Sequence, residues 1–226
     1  GGGITHKPDL MLMQDDFKKF DKKFLENAQV VMCGFDLRMR TDDGIYMDDP
    51  RRNTWTHFES IFTNSWKWIR NAEYLSFLNS YTDLGRLNYG YNEKFKDEFY
   101  QRRWTKPIFT YGTMYNEADI ALAPLKSDIR FNLVKSQLKV IEAGIHKCPI
   151  IASNYGPYTL DVIDGKNGFL INEGDTGKWY EKMKFFVENP NAIVDMGSAL
   201  NELVLEKYTL EKINKKRIDL IKSIVK

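Results

Sequence analysis

Apolar residues recur at Leu10, Met13, Phe17, Phe20, Phe24 and Leu25. That three-to-four spacing predicts an amphipathic helix opening at Pro8-Asp9-Leu10. Gln29 to Phe35 is continuously apolar and ends at Asp36, the pattern of a parallel strand covered on both faces. The polar stretch from Arg38 to Asn53 contains paired aspartates, a Gly and a Pro, and reads as a loop because apolar anchors resume directly after it. From about Trp55 to Tyr115 the chain is crowded with aromatic residues. Spacings such as Trp55-Phe58-Phe62 and Phe95-Phe99 predict helices whose rings pack onto a sheet, and core filling accounts for most of these rings.

Beyond Asp119 the alternation becomes regular. Asp119 to Ala123 predicts a strand, Asn132 to Gly144 a helix, Pro149 to Ser153 a strand, and Gly168 to Ile171 a strand after the turn Asp164-Gly165-Lys166-Asn167-Gly168. Helices follow near Asp175 to Glu188, Asn191 to Lys207 and Thr209 to Val225, the first two separated by Asn189-Pro190. Strands alternating with helices at this spacing imply parallel βαβ units. The expected architecture is α/β: a Rossmann-like open parallel sheet flanked by helices, with a helix-rich aromatic segment and a helical C-terminal tail, all in one domain over residues 1–226.

Composition narrows the function classes. A chain of 226 residues can bury a core without disulfide staples. Its two cysteines, Cys33 and Cys148, sit in the apolar runs QVVMCGF and KCPIIAS, the setting of buried reduced thiols, which favours an intracellular compartment and offers no metal cluster. Thirty-three Lys plus Arg against 31 Asp plus Glu leave a net charge of +2, which gives no reason to expect nucleic-acid binding. No apolar stretch approaches the length of a membrane helix, and the N-terminus lacks a signal-peptide layout. The expectation is a soluble cytoplasmic protein. Its opening Gly1-Gly2-Gly3 has no Met before it.

In an open parallel sheet, ligands bind at the carboxyl ends of the strands. Those positions are Asp36, Pro124 to Lys135, and Ser153 to Tyr158. A helix beginning near Asn132 or Leu133 would carry Lys135 and Ser136 in its first turn, where free N–H groups, a cation and a hydroxyl suit a phosphate. A solvated Lys and a locally capping Ser are an equal alternative from spacing alone. Glu142 lies two helical turns beyond Lys135 with Lys139 between them; its carboxylate could accept hydrogen bonds from a diol such as ribose, or form an ordinary surface pair with Lys139, the better-supported version without further context. Asp128 and Arg130 could touch a base or phosphate, or simply lie on the surface. Arg102 and Arg103 could pair with a diphosphate or be solvated. Tyr155-Gly156-Pro157-Tyr158 can shape a turn. His146 suits a structural role at a helix end, and His57 has no evident partner.

The order Glu142-Ala143-Gly144, Cys148-Pro149-Ile150-Ile151-Ala152-Ser153, Asp164-Gly165-Lys166-Asn167-Gly168-Phe169-Leu170-Ile171 and Gly174-Asp175 resembles the C-terminal nucleotide-sugar-binding domain of GT-B glycosyltransferases, especially the family 4-like, retaining "group 1" enzymes. Pro149 falls seven residues after Glu142, as in that family's pattern. The run Phe131-Asn132-x-x-Lys135-Ser136-x-Leu138-Lys139-x-x-Glu142 further resembles a branch that builds bacterial surface polysaccharides, and Gly2-Gly3-Ile4-Thr5-His6-Lys7-Pro8-Asp9-Leu10 resembles that branch's Gly-rich turn and first helix. The alternative for the glycines is an expression scar.

The resemblance implies transfer of a sugar, with retention, from a UDP- or GDP-linked donor to an acceptor hydroxyl, without a metal or other cofactor, in capsule, O-antigen or exopolysaccharide synthesis. It implies Lys135 and Glu142 as the catalytic pair, Glu142 on the ribose, and Gly2, Gly3, Asp128, Arg130, Lys135, Ser136, Lys139 and Glu142 around the donor. Val134 stands where the family's first glutamate belongs, so Lys135 and Ser136 take over contact with the diphosphate. The acceptor, lipid-linked or saccharide, would be bound by an N-terminal domain that the 226 residues do not contain, leaving this fragment nearly inactive alone. The full-length enzyme would be cytoplasmic or peripheral at the inner face of the membrane. Two other classes stay open: a nicotinamide-dependent oxidoreductase, for which Asp36 is suitably placed but the Gly-x-Gly-x-x-Gly fingerprint is missing, and a noncatalytic α/β interaction module using exposed aromatic rings.

Overall fold

The computed structural model describes residues 6–35, 38–40, 46–48, 61, 71–79 and 90–225. Gly2, Gly3, Asp36, His57 and much of the aromatic segment, Trp55, Phe58 and Phe62 included, lie outside the described residues. The backbone divides into two compact units, Gly1–Glu117 with Thr176–Val187, and Ala118–Asp175 with Glu188–Lys226.

In the first unit, the single helix expected after Pro8 is three short ones: α1 (Lys7–Met11), α2 (Gln14–Phe17) and α3 (Lys22–Asn27). The apolar stripe still buries Met13, Phe17, Phe20 and Phe24. The chain breaks where Asp21 adopts extended backbone and its carboxylate accepts the Phe24 N–H at 2.8 Å, so a new helix is capped in place of the old one continuing. Strand β1 (Val30–Phe35) pairs in parallel with β4 (Tyr100–Trp104), Val30 opposite Tyr100. Full burial of β1 on both faces does not hold. Phe35 is buried while Val30 to Gly34, Cys33 among them, are half-covered.

Two further expectations change in this unit. The stretch read as a loop after Asp36 contains an antiparallel pair, β2 (Arg38–Arg40) and β3 (Tyr46–Asp48). Met39 stands opposite Met47 in the register, and the sequence Asp43-Gly44 between the two segments is a hairpin-turn signal. No helix joins Phe95 to Phe99: a single 3-10 turn, Glu93–Phe95, is capped by Asn92 and the chain then extends into β4. Helix α4 (Ala72–Asn79) precedes it and buries Tyr74, whose hydroxyl donates to the Tyr100 carbonyl.

The second unit carries β5 (Ala121–Ala123), β6 (Ile150–Ser153) and β7 (Gly168–Ile171), all parallel, in the order β5-β6-β7. Central β6 is buried throughout, as its unbroken apolar run requires. Gly168 has no side chain because a Cβ there would stand 2.4 Å from the Ile150 carbonyl oxygen. The helix expected over Asn132 to Gly144 is split into α5 (Arg130–Leu133) and α6 (Leu138–Ile145). Helix α7 (Lys178–Glu188) belongs to the first unit as far as Val187, and α8 (Pro190–Tyr208) and α9 (Leu210–Ile224) form the tail of the second. Helix α6 packs against α8, with Gly144 set against Leu200 and Val204, and Val140, Ala143, Leu200 and Val204 are all buried.

Helix α6 ends in a Schellman motif: the Lys147 N–H donates to the Gly144 carbonyl at 3.1 Å and the Cys148 N–H to the Ala143 carbonyl at 2.9 Å. Lys147 occupies the left-handed position at φ 54°, usually glycine's. In α9 no residue is buried. Among the described residues, no helix is long and apolar enough to cross a membrane.

Candidate functional site at the carboxyl edge of the second sheet

The loop after β5, the turn after β6 and the segment after β7 are tied together at one edge of the sheet. Ser153, the last residue of β6, accepts the Leu125 N–H at 2.8 Å, which fixes how the chain leaves β5. The Ser127 N–H donates to the Glu173 carboxylate at 2.7 Å, linking the same loop to the residue two beyond β7. Asn132 is 1% exposed, and its side-chain amide donates to the Lys126 carbonyl at 2.8 Å, folding the loop back over itself. After β6 the chain turns at Gly156, φ 59°, where a Cβ would meet the Asn132 carbonyl oxygen at 3.1 Å. The turn-shaping role of Gly156-Pro157 therefore holds, and Tyr158 is buried beneath it.

The split helix relocates Lys135 and Ser136. Both lie in the non-helical link 134–137 between α5 and α6, ahead of the α6 start instead of inside a first turn. The physical cause is the side-chain bond of buried Asn132, which binds α5 to the preceding loop and leaves α6 to begin afresh at Leu138. Lys135 is half-buried, its ammonium 5.8 Å from the centre of the Phe131 ring, and Ser136 is exposed. Phe131, Leu133, Val134 and Leu138 around them are more than half exposed.

Six of the expected donor-site residues belong to this one unit. Glu142 keeps 13% of its side chain exposed and sits 3.8 Å from Lys139, the helix-surface pair weighed against ribose binding. Asp128 is exposed and paired with Lys126 at 2.8 Å, which raises the Lys126 ammonium above its ordinary value through that hydrogen bond first. Arg130 is exposed at the start of α5. Asn132 and Ser153 fall inside the stretches that the sequence marks for ligand binding, though neither was given a role there, and Glu173, two residues beyond β7, was not singled out.

Arg102 and Arg103 are not solvated: both are buried in β4 with partners inside the chain. Arg102 is buried in β4, donates to the Leu78 carbonyl and stacks 4.3 Å from the centre of the Phe35 ring. Arg103 is 6% exposed and pairs with Glu117 at 2.6 Å. His6 at the chain start contacts Asp9 at 2.9 Å, and Asp9 is 1% exposed, so that pair anchors α1. His146 is the C-cap of α6, a structural position. Cys148 is buried, and desolvation, with a smaller contribution from Asp119, pushes its thiol up to about 12. Among the described residues, no group of three or more His, Cys, Asp or Glu could hold a metal ion. Within the aromatic segment 55–115, the described rings of Tyr74, Phe95 and Tyr100 are buried, whereas Phe109 is almost fully exposed.

Residues 93–189 match the family described as "Glycosyl transferases group 1". Over 88 residues the chain is 35% identical to a poly(ribitol-phosphate) alpha-N-acetylglucosaminyltransferase of Staphylococcus aureus, covering 38% of this chain and 18% of that protein. Over 86 residues it is 29% identical to a trehalose synthase of Thermococcus litoralis, covering 38% and 20%. The matched part thus spans about a fifth of these relatives. Among solved structures, a sucrose-phosphate synthase from Thermosynechococcus elongatus superimposes with a TM-score of 0.58 at 14% identity, covering 99% of this chain and 44% of that one, a likeness of fold.

Proposed function

We propose, from the match of residues 93–189 to the group 1 glycosyltransferases and the likeness of fold, that residues 1–226 are the nucleotide-sugar-binding domain of a family 4-like GT-B enzyme and serve transfer of a sugar, with retention, from a nucleoside diphosphate donor to an acceptor hydroxyl. The observation that supports this reading is that helix α5, which leads directly into the link carrying Lys135 and Ser136, packs against the turn after β6 at the carboxyl edge of a parallel sheet, inside the matched residues. Lys135 lies next to the diphosphate and offsets the negative charge that grows on the leaving group as the glycosidic bond breaks. Ser136 donates a hydrogen bond to the same oxygens. Glu142 accepts hydrogen bonds from the ribose hydroxyls and so sets the register of the donor. Lys139, Asp128 and Arg130 flank that position.

The donor is UDP- or GDP-linked, no metal is needed, and the acceptor, saccharide or lipid-linked, is held by an N-terminal domain of the same enzyme, in cytoplasmic synthesis of a bacterial surface polysaccharide. The relative named for N-acetylglucosaminyl transfer to poly(ribitol-phosphate) supports that setting. Exposed Ile108 and Phe109 are the observation favouring an interaction face instead, but they lie inside the transferase match. Calorimetric titration with UDP, GDP and their sugars tests the reading. Saturable binding weakened at least tenfold by Lys135→Ala and by Glu142→Ala is expected. A folded chain that binds every nucleotide as well after both substitutions contradicts the site, and one that binds none contradicts the function.

A further inference from the structure

Helix α6 begins without a side-chain cap of its own: Gln137 stands at the N-cap, and only its carbonyl serves the helix, accepting the Val140 and Ile141 N–H groups at 2.9 and 3.1 Å. Its side-chain amide points elsewhere and donates to the Tyr208 hydroxyl at 2.8 Å, 71 residues along the chain. Tyr208 in turn donates to one oxygen of Asp161 at 2.5 Å, and the Lys207 ammonium reaches the other oxygen at 2.9 Å. Asp161 is 2% exposed. Its backbone is locked as well: the Asn167 amide donates to the Asp161 carbonyl at 2.9 Å while the Asn167 side-chain oxygen accepts the Ile163 N–H at 2.7 Å.

We propose that Gln137, Tyr208 and Asp161 form a positioning relay that fixes the link carrying Lys135 and Ser136 against the turn after β6. This inference rests on the donor site proposed above. A tyrosine hydroxyl has one proton to give and lone pairs to accept with. Here it gives the proton to a buried carboxylate and accepts from Gln137, so the direction of both bonds is set by Asp161. The relay joins three elements that approach the donor from different parts of the chain: the residue directly after Ser136, the end of the turn Gly156–Leu160, and the last residue of α8. The N-terminal end of α6 is thereby held by a side chain outside the helix, whereas its C-terminal end is held by its own Schellman motif and by the Asn201 amide on the Gly144 carbonyl at 2.8 Å. Asp161 keeps Lys207 when Tyr208 loses its hydroxyl, so Tyr208→Phe removes the relay without stranding the buried carboxylate.

The test compares Tyr208→Phe, Gln137→Leu, the double variant and Asn201→Ala in the whole chain. Expected are a five- to twentyfold rise in the nucleotide Kd for each relay variant, no further rise in the double variant because the two groups act through one bond, and a lowered Tm with unchanged Kd for Asn201→Ala. A merely structural role predicts the opposite split, with Kd following Tm across all four. Amide exchange at Val140 and Ile141 gives a reading that needs no ligand: Tyr208→Phe accelerates it at least fivefold, with the amides of β6 unchanged. Tyr208→Phe binding within twofold of the parent, or unchanged exchange at Val140 and Ile141, overturns the relay. A parent chain that binds no nucleotide counts against the proposed function, and the exchange measurement then decides the relay on its own.

Discussion

Gly197 is the position where a single added methyl group should do most harm for its size. It sits in α8, where a Cβ would lie 2.0 Å from the Lys147 carbonyl oxygen and 3.2 Å from Pro149 Cδ. Carbon and oxygen approach no closer than about 3.2 Å without strain, so α8 or the backbone at the α6 terminus must shift by about 1 Å. The carbonyl belongs to the residue at φ 54° in the Schellman motif and cannot swing aside as a flexible side chain would. Replacing a mid-helix Gly by Ala gains about 1 kcal/mol of helix propensity. Forcing extra volume into a packed seam costs about 1–3 kcal/mol and sometimes more, and here the obstacle is backbone, which puts the cost at the upper end. A net loss of about 2 kcal/mol is expected for Gly197→Ala, a fall in Tm of about 4–8 °C in a chain of this size. Urea denaturation followed by circular dichroism measures it. A variant as stable as the parent, or more so, would refute the reasoning, since propensity would then have outweighed the contact.

Other consequences are open to similar checks. Lys147→Gly relieves the left-handed backbone at the end of α6 and should raise stability by about 0.5–1 kcal/mol in the same assay; a loss would contradict the Schellman assignment. Leu200→Ala empties a fully buried position facing α6 and should cost about 2–5 kcal/mol; a change under 1 kcal/mol would place the seam elsewhere. With its thiol pushed up to about 12, Cys148 is thiolate in about one molecule in ten thousand at pH 8, so a disulfide reagent should leave it unlabelled in the native chain and label it only after denaturation. Asp161 raises the Lys207 ammonium above its ordinary 10.5, chiefly through their hydrogen bond. That contribution is present in full below pH 10.5 and is lost as pH rises through the folded value; Lys207→Met should flatten the stability profile only on that alkaline side.

The second sheet was the most legible part of the chain. Its three strands have unbroken apolar runs, and Gly165 and Gly168 punctuate the approach to β7, so pattern and turn chemistry agree. The helical tail followed equally well from Asn189-Pro190 and Thr209, which start α8 and α9. The break before α6 was not visible, because Val134 to Gln137 contains neither Gly nor Pro and the cause is Asn132 bonding outside the helix. Arg102-Arg103 looked like a solvated pair, since nothing local signals that Phe35 and Glu117 enclose them. Of the proposed donor site, the choice of Lys135, Ser136 and Glu142 came from motif order, and their setting came from the fold. The Gln137–Tyr208–Asp161 contacts span up to 71 residues and leave no periodic trace.

The central claim is that nucleotide sugar binds where the loop after β5 meets α6. Hydrogen–deuterium exchange of the chain with and without saturating UDP or GDP, analysed by peptide, tests it most directly. Slower exchange in peptides spanning 125–142 and 153–158, with α9 unchanged, is the result the account predicts. Protection that falls elsewhere, with those two stretches unaffected by any nucleotide, would contradict it.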